Sequence, residues 1–124
     1  MNRNSADAAS AQADLDAAQA RYRAEVDAAR ARVSSLAVSA GAAAEQVQLT
    51  ARAASAASQL AEAERQRLNL GTTTSRDVVS AEQTSREAEL RRLRAVVSQA
   101  AAHLELEHTA GTLLDRVAAS TGRS

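Results

Sequence analysis

The sequence predicts an all-α fold, a long antiparallel coiled-coil helical hairpin. Three observations carry this. The 124 residues contain no Pro, Phe or Trp and are rich in Ala, Arg, Glu, Gln and Leu, a composition that favours helix. Apolar positions recur in alternating steps of four and three over most of the chain, the rhythm of a helix face. One short stretch, residues 68–79, stops this rhythm and then restarts it.

The first arm is expected over about residues 6–70, with Asn4 or Ser5 as its cap. Its seam runs Tyr22, Val26, Ala29, Val33, Leu36, Ala40, Ala43, Val47, Thr50, Ala54, Ala57 and Ala61. A heptad rhythm sustained this long favours left-handed coiled-coil packing. Tyr22, the only aromatic, is expected to plug the seam. Most other knobs are small, so the axes can approach to the lower end of the ~8–10 Å range. Gly41 sits beside the seam and costs up to about 1 kcal/mol relative to Ala. An arm this long measures roughly 95 Å at 1.5 Å per residue, the dimension of a rod, spacer or wall.

The tip is expected at residues 71–74. Gly71 lacks a Cβ and can take the left-handed conformation that ends a helix. Thr72, Thr73 and Thr74 supply hydroxyls to cap the next one, and Thr74 with Asp77 has the capping-box spacing before Val78 and Val79.

The second arm is expected over about residues 75–110. Its main seam is Leu90, Leu93, Val97, Ala100 and Leu104, and a second stripe repeats every seven residues at Ala81, Ala88, Ala95 and Ala102. One stripe can pack on the first arm; the other is left for a different neighbour, as in a wall of helices. Gly111 is expected to end this arm. Thr112 then caps a short third helix over about residues 112–119, and residues 120–124 form a frayed tail. The first arm outruns the second, so its N-terminal part overhangs and calls for helices from elsewhere.

Composition also bounds function. Fifteen Arg balance fifteen Asp and Glu, so nucleic acid, which needs a basic excess on one face, is not the expected partner. No Cys is present, and no apolar run nears the roughly 20 residues of a membrane-spanning helix. Residues 1–5 lack the apolar segment of a signal peptide, and Met1 precedes sequence of mid-helix character, as in a piece of a longer chain. No nucleophile elbow or phosphate loop occurs, so neither enzymatic activity nor a cofactor is expected. His103 and His108 are five apart, off the i, i+4 spacing of paired ligands, so no metal site is expected. Arg91, Arg92 and Arg94 lie near Glu87 and Glu89, as on a solvated helix face. Asp77 has a capping role beside any other.

At the tip, Gly71-Thr72-x-Thr74-x-x-Asp77-Val78-Val79-x-Ala81-Glu82 resembles the hairpin signature of the outer-membrane efflux protein family, the TolC-like exit ducts. Leu90, Ala95, Ala102 and Leu104, then Gly111-Thr112-Leu113, look like that family's run to its closing Gly-x-Leu, and residues 17–26 are similar to the start of its long helix. The resemblance implies a trimer of two-repeat chains whose strands form an outer-membrane β-barrel and whose helices form a periplasmic α-barrel. This chain would be the α-barrel segment of the second repeat without the β-barrel strands, so it would meet the membrane only through those absent strands. The resemblance further implies a passive conduit and a periplasmic location. Gly71, Thr72, Thr73 and Thr74 would dock a periplasmic adaptor protein that couples to an inner-membrane pump, and Asp77 would line the pore. Leu68, Thr73 and Ser80 depart from the family pattern, leaving Asp77 as the one gate-like acid. The alternative is a generic structural coiled coil, or the hairpin of an adaptor protein, with no duct role.

Overall fold

Ala and the straight-chain Arg, Glu and Gln lose little freedom on entering a helix, and no Pro interrupts them. In the computed structural model, which describes residues 2–122, this composition gives two long helices packed together. α1 spans Asn2–Asn69 and α2 spans Ser75–Thr121. At 1.5 Å per residue they are about 100 Å and about 70 Å long. The solvent-accessible surface is 9656 Å². A compact globule of this mass would expose about 6300 Å², so the molecule is a rod.

α1 buries or half-buries Val26, Ala29, Val33, Leu36, Ala40, Ala43, Val47, Thr50, Ala54, Ala57 and Ala61. α2 turns Val78, Ala81, Ala88, Ala95 and Ala102 toward it, and Thr109 extends that stripe. Arg65 of α1 meets Glu82 of α2 at 2.7 Å, and Ser58 and Ala61 share a shallow groove with Glu82 and Ser85, so the two helices run in opposite directions.

By spacing either α2 stripe could pack on α1, and the structure decides between them. The inward stripe is the alanine one; Leu90, Leu93, Val97, Ala100 and Leu104 are exposed and lie on the far side of α2. The phase is set at the tip. Once Thr74 caps α2, Val78 is the first residue turned inward, and steps of three and four from it lead through the alanines. Small residues on both helices then meet, which lets the axes close.

Three boundaries also differ from the expectation. α1 begins at Asn2, and Ser5 Oγ donates to the Asn2 carbonyl inside the first turn instead of capping from outside. α2 runs unbroken through Gly111, so no separate helix forms over residues 112–119. Gly inside a helix costs only about 1 kcal/mol, and Thr109, Ala110 and Leu113 still hold this stretch against α1. Thr112 Oγ1 bonds the His108 carbonyl within the helix and caps nothing. Ser120 and Thr121 remain helical, and Gly122 closes the helix onto the Ala118 carbonyl; Arg123 and Ser124 lie outside the described residues.

Tyr22 is 64% exposed and plugs no seam, because α2 ends before reaching its level. Residues 2–25 are exposed throughout, an overhang of α1 with no neighbouring helix among the described residues.

Close packing of alanines makes the seam intolerant of bulk. Ala88 is only 3% exposed, and Ala88→Leu is expected to lower stability by about 1–3 kcal/mol through overpacking. Val38→Ala, at a position 71% exposed, should change it by no more than about 0.5 kcal/mol. Urea denaturation followed by circular dichroism compares the two.

Candidate functional site

The tip is built by two complementary end signals. The N–H of Gly71 donates to the Leu68 carbonyl at 3.0 Å and that of Thr72 to the Arg67 carbonyl at 2.9 Å. These two bonds are the Schellman closure, and they need a left-handed residue between them. Gly71 supplies it, at φ 75°, the only positive φ among the described residues. Thr72 Oγ1 adds a second bond to the Arg67 carbonyl.

Thr74 then starts α2. Its backbone is extended, its Oγ1 accepts from the Asp77 N–H at 3.3 Å, and its carbonyl accepts the first helical bond, from Val78. The expected cap is present, with one variation. Thr74 Oγ1 also donates to Asp77 Oδ2 at 2.9 Å, so hydroxyl and carboxylate bond each other directly.

Thr73 joins the two helices. Its Oγ1 lies 3.0 Å from Glu64 Oε2 on α1 and 3.1 Å from Asp77 Oδ2 on α2. A hydroxyl has one proton, so it serves one of these carboxylates at a time. Glu64 has a compensating partner in Arg67, at 2.8 Å. Hydrogen bonds from Thr74 and Thr73 hold the Asp77 carboxyl below its ordinary range, with a smaller contribution from the Arg67 charge. A few residues further, Arg65 bridges Glu82 across the hairpin and Glu62 along its own helix; the Glu82 hydrogen bond is the main cause that raises its pKa.

Of the expected site residues, the structure brings Gly71, Thr72, Thr73, Thr74 and Asp77 together at one end of the rod. Thr73 is half-buried, and the other four are exposed. Val26, Val33, Leu36 and Val47 on α1 and Ala81, Ala88, Ala95 and Ala102 on α2 join the inter-helix seam. Leu90, Leu93, Val97 and Leu104 do not contribute to it. Sequence reasoning missed three tip features. Glu64 and Arg67 complete the polar cluster, and Leu70, 77% exposed, forms an apolar apex. Nothing local marks Glu64, because its link to Thr73 crosses the turn. Leu70 was legible, as the apolar residue just before the tip glycine.

Away from the tip, His103 Nε2 lies 3.0 Å from Glu107 and His108 does not join them; no group of three metal-binding side chains occurs among the described residues. No helix among those residues is long and apolar enough to cross a membrane.

Two outcomes follow from the tip geometry. Gly71→Ala meets no atom within 4 Å, so its cost is conformational: about 1–2 kcal/mol, read as a lower melting temperature with helix content retained. Asp77 has a depressed folded-state pKa, so its contribution is full above the unfolded value near 3.9 and is lost as pH falls through the folded value. Asp77→Asn should therefore be less stable than the parent at pH 7, with the difference fading below about pH 4. Paired melting curves from pH 7 to about pH 2.5 check this.

No family profile, curated protein or solved structure matches the chain.

Proposed function

We propose that the chain is a coiled-coil hairpin from a wall of helices, resembling the periplasmic α-barrel part of an outer-membrane efflux duct. The observation that carries this reading is the pair of apolar stripes on α2. The alanine stripe closes on α1, while Leu90, Leu93, Val97 and Leu104 face outward along the opposite side. A two-helix hairpin that worked alone would need one stripe; a helix with a neighbour on each side needs two. The uncovered overhang of α1 supports the same reading.

In this proposal the parent protein is a trimer that reaches the outer membrane through β-strands outside these 124 residues. It conducts passively and catalyses nothing. The exposed apex, Leu70, Gly71 and Thr72, docks a periplasmic adaptor protein, which connects to an inner-membrane pump. The Thr73–Asp77 bonds keep that apex in one shape. Asp77 lines the entrance while its carboxylate caps α2.

The reading frame upstream of the codon for residue 1 tests the proposal. It should encode strands of alternating apolar residues and, before them, a first copy of the helical repeat. A frame that opens at Met1 with neither would overturn the duct and leave a free-standing hairpin.

A further inference from the structure

We propose that, in the 124-residue chain by itself, a second copy covers the leucine stripe of α2, the two α2 helices packing antiparallel about Val97 and Ala100. This does not rest on the duct reading; it concerns what meets the stripe when no wall is present.

The stripe is accessible to such a partner. It lies roughly 150° around α2 from the side that meets α1, so α1 does not stand in the way. Leu90, Leu93, Val97 and Leu104 are each 47–69% exposed, and together they form a continuous apolar strip about 20 Å long. A twofold contact pairs one patch with itself, so Leu93, Val97, Ala100 and Leu104 are buried on both copies at once, while Leu90 at the end of the strip lies against Glu107 of the second copy.

The residues also specify the direction. Antiparallel packing sets Leu93 against Leu104 of the second copy and Val97 against Ala100, and the same two pairs recur on the other side of the axis. Each small residue then faces a larger one. Parallel packing in register would set Ala100 against Ala100 and leave a gap, with the loss of contact that gaps bring.

Charge agrees with this direction. Arg94 and Glu105 flank the same edge of the stripe, about 16 Å apart along α2. Among the described residues neither of the two forms an ion pair within the hairpin. The antiparallel arrangement brings Arg94 of each copy beside Glu105 of the other, so the pair occurs twice. It also sets Glu87 beside His108 of the second copy. Complementary charge at the rim fixes register and orientation even where it adds little affinity.

The natural chain has no Cys, so a single engineered thiol reports on one position. Ala100→Cys lies next to the twofold axis, and a short bismaleimide is expected to link two copies through it. Gln83→Cys continues the same stripe toward the tip but lies far from its counterpart in the second copy, and should stay unlinked. Linking through Gln83→Cys would mean parallel packing and overturn the proposal. So would sedimentation as a monomer at all concentrations up to about 1 mM. Arg94→Glu and Glu105→Arg should each weaken dimerisation about tenfold, and the double variant should return to within about threefold of the parent. Failure of the double variant to recover would overturn the antiparallel pairing. The upstream reading frame is scored separately, so the duct can fail while the dimer stands, or the reverse.

Discussion

The contact of alanine on alanine between α1 and α2 is the constraint on which the rest of the structure depends. Ala54 and Ala61 on one helix and Ala88 and Ala95 on the other are among the few buried side chains. An alanine removes little apolar area from water, so each contact contributes modestly. Its value is geometric. Small side chains let two helices lie close along a great length, and the heptad spacing keeps the same faces together. The arrangement orders many residues around a thin core, which is why the molecule is long and why no large side chain is deeply buried among the described residues.

The turn has to deliver α2 in the phase that places those alanines inward. Two local devices do so. Gly71 permits the closure of α1, and Thr74 sets where α2 begins, which makes Val78 its first inward residue. Thr73 Oγ1 then lies within hydrogen-bond distance of Glu64 on one helix and Asp77 on the other and bonds one of them at a time. A shift of one residue in the start of α2 would rotate it by about 100° and put Glu87 or Glu89 where Ala88 packs. The polar cluster is exposed for the most part, so it specifies geometry more than it stabilises.

These devices were legible to different degrees. The α1 seam from Val26 to Ala61 follows from spacing, because steps of four and three allow only one face. The Gly71 and Thr74 signals were local and could be read directly. Three features were not. The choice between the two α2 stripes depends on the partner surface and the starting phase, which spacing alone leaves open. Gly111 has the composition of a helix end, yet contacts at Thr109 and Leu113 carry the helix past it. Tyr22 fits the seam spacing but lies beyond the reach of α2, a length that no local pattern reveals.

The two faces of α2 divide specificity from burial. The inward face is narrow, small and exacting in shape, and it decides which way the hairpin folds. The outward face carries the bulkier Leu90, Leu93, Val97 and Leu104 and buries nothing within the hairpin. Val78, Leu106 and Leu113 are covered on the inward side, whereas these four stay largely in water and gain from a further contact. The hairpin is in this sense an unfinished layer: its internal seam fixes a shape, and the leucine stripe of α2 is left for what packs against it.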